Sequence, residues 1–129
     1  MIVTDASVVI ASLVDDGDDG RWAAQLLRSN DLAAPHLMPA EVANMLRRSV
    51  LAKELSKELA TLAHADLILL RIDLFAYESF ARRVWELRGN VTAYDAWYVA
   101  LAEFLGAPLA TLDKNLARAP GPRCKFETP

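Results

Sequence analysis

Four acidic residues, Asp5, Glu41, Asp95 and Asp113, occupy similar places in their local patterns. Asp5 follows the β-branched run Ile2-Val3-Thr4, and Asp113 follows Leu109-Ala110-Thr111. Glu41 comes just after Pro39, and Asp95 comes three residues after Thr92. Each therefore falls at the end of a strand-like segment or in the first turn of a helix-like one. Carboxylates gathered in this way suit a hard divalent cation. Mg2+ takes oxygen ligands at about 2.0–2.1 Å and keeps several waters, so two or three carboxylates can hold it. A cation held so lowers the pKa of bound water and polarises a phosphoryl oxygen, which is the chemistry of phosphodiester hydrolysis.

Each acid taken singly also has an ordinary structural use. Asp5 and Asp113 are good helix N-caps. Thr92 and Asp95 have capping-box spacing, and Glu41 suits the positive end of a helix dipole. The set is harder to explain as caps. Asp95 opens a segment, Ala96-Trp97-Tyr98-Val99-Ala100-Leu101-Ala102, so apolar that burial nearly all round is expected. An unpaired carboxylate there is costly. Several carboxylates together repel one another and take up protons, and a bound cation removes that conflict.

The elements that must position these acids alternate. Strands are expected at Ile2–Thr4, Leu32–Ala34, Leu70–Asp73, Pro108–Thr111 and Arg123–Phe126. Helices are expected from Ala6 to about Val14, from Arg21 to Arg28, from Pro39 past Val50, and from Lys57 to about Leu67 after a Ser56 cap. Two more follow, from Tyr77 to Leu87 and from Thr92 to Leu105, stopped by Gly89 and Gly106. In the second helix Trp22, Leu26 and Leu27 are expected inward; in the fourth, Leu59, Leu62 and Ala63 share helical spacing; in the fifth, Phe80, Val84 and Leu87 share one face. The run Asp15-Asp16-Gly17-Asp18-Asp19-Gly20 reads as a solvated loop that starts a helix. Alternation of this kind implies an α/β fold: a three-layer α/β/α sandwich around a mainly parallel sheet of four to five strands. Ligands bind such sheets at the carboxyl ends of the strands, which is where the four acids lie.

With 129 residues the chain makes one domain, 1–129. Hydrophobic residues at 53% and charged residues at 24% suit a packed core and argue against disorder. Cys124 is the only cysteine, which excludes an internal disulfide and a cysteine-based zinc site. No basic leader precedes Asp5, and no apolar run approaches the roughly 20 residues that cross a bilayer. A cytoplasmic location without membrane contact is the expectation. The net charge of −3 counts against a general nucleic-acid binder, although clustered site carboxylates contribute to it and bound cations would offset them.

Four stretches together resemble a known family. Val3-Thr4-Asp5-Ala6-Ser7, Pro39-Ala40-Glu41-Val42, Thr92 through Ala102, and Ala110-Thr111-Leu112-Asp113 are similar to the successive motifs of PIN-domain ribonucleases, and most of all to the VapC toxins of bacterial toxin–antitoxin pairs. The stretch from Thr92 to Ala102 is the most specific of them. The resemblance spans nearly the whole chain, and none of the four acids departs from it. It implies a PIN-like fold, Mg2+ or Mn2+ among the four acids, and metal-dependent endonucleolytic cleavage of RNA. It also implies a cognate VapB-like antitoxin whose tail blocks the acidic site, and a homodimer.

Asp5 and Asp95 are the expected direct ligands; Glu41 is expected to act directly, through water or by orienting the nucleophile, and Asp113 to complete the set or hold a second metal ion. Ser7 and Thr111 are candidates to orient the carboxylates from behind, and Thr92 is expected to cap its helix. Arg47, Arg48, Lys114, Asn115 and Arg118 are candidates to hold RNA phosphates; a solvated helix face also accounts for Arg47 and Arg48. His36 and His64 lack metal-ligand spacing. Trp22, Trp85 and Trp97 could stack on bases, but their helical spacing points first to core or interface packing. Rival readings are a receiver-like phosphoacceptor domain, a haloacid-dehalogenase-like phosphatase, and a PIN-like RNA-processing nuclease or binding module outside toxin–antitoxin systems. The receiver lacks its paired acids, because Asp5 is followed by Ala6; the phosphatase lacks its second aspartate, because Ser7 stands there.

Overall fold

The computed structural model describes residues 1–129. Five strands form one sheet: β1 (Ile2–Thr4), β2 (Leu32–Pro35), β3 (Asp73–Phe75), β4 (Leu109–Ala110) and β5 (Phe126–Glu127). Their order across the sheet is β3-β2-β1-β4-β5, and every pairing is parallel. The connections carry helices α1 (Ala6–Val14), α2 (Asp18–Ser29), α3 (Met38–Leu51), α4 (Lys57–Leu69), α5 (Ala81–Glu86), α6 (Ala93–Leu105) and α7 (Lys114–Arg118). A parallel sheet needs crossovers of this kind, and they cover both of its faces. Along β1, Ile2 and Val3 point to opposite faces. Ile2, Leu32 and Ala110 join a smaller apolar cluster with Val8 and Ala11 of α1 and Ala23 and Leu26 of α2. Val3, Ala33 and Leu109 join the larger cluster, built with Met38 and Val42 of α3 and Val99 and Leu101 of α6. The result is the three-layer α/β/α sandwich that the alternation implies.

The chain winds outward from β1 in one direction to β2 and β3, then crosses back to place β4 on the other side of β1. The carboxyl ends of β1 and β4 thus form a topological switch point, the place where open α/β sheets bind ligands. A receiver domain has the order 2-1-3-4-5. The order found here is different and removes that reading.

Several boundaries differ from the sequence expectation. The third strand is Asp73–Phe75 rather than Leu70–Asp73, because Phe75 is the residue in register with Pro35 on β2. The last two strands are shorter, Leu109–Ala110 and Phe126–Glu127. Helix α2 starts at Asp18 rather than Arg21, since Asp18 and Asp19 in its first turn complement the helix dipole. The segment from Tyr77 to Leu87 opens as a 3-10 turn, Glu78–Phe80, before α5, yet Phe80, Val84 and Leu87 are all buried as expected. In α4 the buried face is Ala60, Ala63 and Leu67, whereas Leu59 and Leu62 are exposed. Trp22 and Trp97 pack against the core, but Trp85 lies on the surface, 67% exposed beneath the Arg88 guanidinium. Helix α6 is not buried all round: Tyr94 is exposed, and Phe104 is 71% exposed while touching Phe80 edge-on. Gly106, at φ 61°, ends α6 in the left-handed conformation that glycine adopts without strain. No helix is long and apolar enough to cross a membrane.

Candidate active site

Asp5 is the N-cap of α1 and the centre of a hydrogen-bonded knot at the switch point. Its Oδ1 accepts from the Val8 backbone N–H at 3.2 Å and from the Ser7 hydroxyl at 2.5 Å. Its Oδ2 accepts from the Thr111 hydroxyl, which reaches across from the end of β4. Neither hydroxyl is free to turn away. Ser7 Oγ accepts from the Leu112 N–H at 3.1 Å, and Thr111 Oγ1 accepts from the Asp113 N–H at 3.0 Å. Each hydroxyl has one proton. With backbone N–H groups on their lone pairs, both protons go to Asp5. Three donors to this carboxylate, two of them backed by N–H groups of the 111–113 segment, therefore fix how it is turned.

Asp113 caps α7 and accepts from the N–H groups of Asn115 and Leu116 at 2.9 and 3.1 Å. Asp95 stands in the first turn of α6, and its N–H donates to the Thr92 hydroxyl at 3.1 Å, so Thr92 is the N-cap it was expected to be. Glu41 lies in the first turn of α3. One of its oxygens accepts a 2.7 Å hydrogen bond from the Tyr98 hydroxyl on α6. The capping uses of Asp5 and Asp113 are therefore real, and they coexist with a shared location.

The electrostatics bind the acids into one group. Asp5 is only 7% exposed, and burial pushes its pKa above the ordinary aspartate value; the bonds from Ser7, Thr111 and the backbone oppose that rise. Burial also raises Glu41, with the Tyr98 bond opposing and repulsion from Asp95 and Asp5 adding to the rise. Asp95 is raised by burial and by repulsion from Asp113 and Asp5. Tyr98 is pushed up by burial and by the nearby carboxylates, so its hydroxyl stays a donor. No basic side chain relieves this repulsion. The ion pairs of the protein are Arg21 with Asp18 and Arg83 with Glu86 and Glu103, none of them at the acidic group. The four carboxylates stop short of a closed ring: no three acidic, histidine or cysteine side chains stand as a ready-made metal cluster. Mutual repulsion keeps them apart, and Glu41 and Asp113 use their oxygens on Tyr98 and the α7 backbone. An all-oxygen donor set, partly buried and without a counter-charge, fits a hard divalent cation.

Tyr98 was not singled out in the sequence. The available signal was its spacing: it lies three residues after Asp95 and so shares that face of α6. The other candidates are placed as follows. Lys114 and Asn115 open α7 beside Asp113, and Arg118 closes that helix, all three exposed. Arg47 and Arg48 are exposed two turns beyond Glu41 on α3, with Arg47 lining the groove between α3 and α4. His36 and His64 are exposed. Cys124 is half-buried, and burial raises its thiol to a pKa of about 11.

Comparison with known proteins agrees with this arrangement. The family model described as the PIN domain matches residues 2–122. Ribonuclease VapC1 of Mycobacterium tuberculosis is 41% identical over 126 residues, covering 97% of this chain and 95% of the relative. The crystal structure of M. tuberculosis VapC20, described as a Sarcin-Ricin loop cleaving toxin, superposes with a TM-score of 0.70 at 16% identity, over 91% of this chain and 93% of that one. VapBC2 from Rickettsia felis, solved bound to a DNA fragment from its promoter, gives a TM-score of 0.65 at 16% identity, over 99% and 98% of the two chains. The two solved structures share the fold, and the family model and VapC1 share the sequence along nearly its whole length: this chain belongs to the PIN-domain family and, within it, to the VapC ribonucleases.

Proposed function

We propose that this chain is an endoribonuclease that uses bound Mg2+ or Mn2+ to hydrolyse RNA phosphodiesters, and that it acts as the toxin of a toxin–antitoxin pair. The observation that carries this reading is Asp5. It is a nearly buried carboxylate with no counter-charge, oriented by hydroxyls from two distant segments and near enough to Glu41 and Asp95 for their charges to repel. Such an arrangement is costly unless a cation is bound. Membership of the VapC family supports the activity, as do the names of VapC1, a ribonuclease, and VapC20, a Sarcin-Ricin loop cleaving toxin.

Asp5 and Asp95 would be direct ligands, Asp113 would complete the set, and Glu41 would reach the ion directly or through water. When bound, the cation lowers the pKa of water and polarises the phosphoryl oxygen. The chain's own residues do the positioning. Ser7 and Thr111 keep Asp5 turned and oppose the rise in its pKa. Thr92 fixes the start of α6 and thereby the place of Asp95. Glu41 would orient the attacking water. Lys114 and Asn115, next to Asp113, are the first candidates to hold RNA phosphates, with Arg118, Arg48 and Arg47 further out; none of these basic residues is taken up in an ion pair.

A small VapB-like antitoxin that covers the acidic site is the expected partner, in keeping with the VapBC2 complex, and a homodimer is the expected assembly. Leu51, Leu59 and Leu62 on α3 and α4 are exposed apolar residues available to such partners.

The test is cleavage of RNA by the purified protein with Mg2+ or Mn2+ and with EDTA, set beside Asp5→Asn and Asp95→Asn. Cation-dependent internal cuts are expected from the wild type and from neither variant. Unchanged cleavage by both variants would refute the mechanism. Growth arrest on expression, relieved by Asp5→Asn and by co-expression of a short neighbouring gene, tests the toxin role.

A further inference from the structure

We infer that Tyr98 is the positioning residue of Glu41: its hydroxyl holds one carboxylate oxygen so that the other faces the acidic group. This role depends on the cation-dependent reading of the four acids proposed above. Tyr98 is 2% exposed, on the apolar inner face of α6, where phenylalanine would pack equally well. Its one polar atom is spent on Glu41 Oε1, at 2.7 Å, across 57 residues of sequence. Glu41 has reasons to leave. It sits on a flexible three-torsion side chain, Asp95 and Asp5 both repel it, and no ion pair holds it. The Tyr98 hydroxyl is the one protein group bonded to its carboxylate. Without that bond, Glu41 would swing towards solvent, and the group would lose one of its four acids.

The arrangement parallels that of Asp5, whose two oxygens are held by Ser7 and Thr111. It also explains why one helix supplies both groups. Asp95 and Tyr98, three residues apart, lie on one face, so the register of α6 places a ligand and the clamp of a second ligand together. Loss of groups that orient metal ligands from behind typically weakens metal affinity by about 10–100-fold.

The experiment measures Mn2+ binding to the full-length protein by calorimetry or electron paramagnetic resonance, together with the kinetics of RNA cleavage. Tyr98→Phe is expected to bind Mn2+ about 10–100-fold more weakly. Its kcat should fall while KM for RNA stays as in the wild type. In a Glu41→Gln background, Tyr98→Phe should cause no further loss of Mn2+ affinity, because the group it acts through is already altered. Wild-type Mn2+ affinity in Tyr98→Phe, or an equal further loss in the Glu41→Gln background, overturns the assignment. Should Tyr98→Phe not fold, Glu41→Asp reads the same contact from the other side: it keeps the charge but falls one methylene short of the hydroxyl. A comparable loss is expected, and wild-type affinity there also overturns it. A wild-type protein that binds no Mn2+ sinks both this inference and the proposed function, whereas a binding wild type beside an unaffected Tyr98→Phe sinks the Tyr98 role alone.

Discussion

Thr111→Val removes one oxygen from a residue that is 0% exposed and leaves the shape nearly unchanged. Two hydrogen bonds go with it: the hydroxyl's donation to Asp5 Oδ2 and its acceptance from the Asp113 N–H. A bond to a charged group contributes about 1.5–3 kcal/mol and a neutral one about 0.5–1.5 kcal/mol. Thr111 is fully buried, so the expected loss of stability while Asp5 is ionised is roughly 2–4 kcal/mol. A domain of this size has a total stability of roughly 6–19 kcal/mol. At about 3–5 °C per kcal/mol, the melting temperature should fall by roughly 6–20 °C.

The pH dependence of that loss has a definite sign. Thr111 is among the groups that hold the Asp5 pKa down against burial. Removing it raises the folded-state pKa further, so the variant escapes part of the cost by taking up a proton. The full deficit relative to wild type is therefore present above the variant's raised folded pKa, and it shrinks as pH falls from there to the wild-type folded pKa. The assay is urea or thermal unfolding in EDTA across a pH series, with Thr111→Ser as the control that keeps the hydroxyl. A Thr111→Val protein within about 0.5 kcal/mol of wild type at neutral pH, or a Thr111→Ser protein equally damaged, would refute the claim that the hydroxyl sustains the site.

Asp95→Asn should stabilise the metal-free protein, since burial and two neighbouring acids raise the pKa of Asp95. With a folded pKa above the unfolded one, the charge costs stability as pH rises through that window. The variant's advantage should therefore grow from the ordinary carboxylate range towards neutrality, vanish in acid, and reverse when Mn2+ is added; unfolding curves at three pH values with and without Mn2+ check it. Gly20→Ala should destabilise the protein by about 1–3 kcal/mol, as expected for overpacking. A Cβ there would lie 1.8 Å from the Asp15 carbonyl oxygen, against which the first turn of α2 is folded. Chemical denaturation measures this loss, and an unchanged midpoint would mean that the α1–α2 turn yields more easily than its geometry implies.

Much of the site was legible in the sequence because its parts are local. Asp5, Glu41, Asp95 and Asp113 were found from strand ends, proline, threonine caps and apolar periodicity, all readable within a few residues. Ser7 and Thr111 were found by adjacency. The same local signals gave the alternation of strands and helices and therefore the α/β class. They failed where neighbours in space decide. The third strand slid from Leu70–Asp73 to Asp73–Phe75 because its register is set by β2, and Leu59 and Leu62 turned outward because Ala60, Ala63 and Leu67 fit the core.

What the chain determined by itself is which residues carry carboxylates and at which element ends they stand, since propensity and capping act over one turn. Tertiary structure alone decided which side chains meet. Crossing back from β3 to β4 brings Thr111 to Asp5 over 106 residues, and the packing of α6 on the sheet brings Tyr98 to Glu41 over 57. Those two hydroxyls each hold one oxygen of a carboxylate. No local pattern specifies them, because hydrogen bonds of such sequence separation exist only after the strands have taken their order.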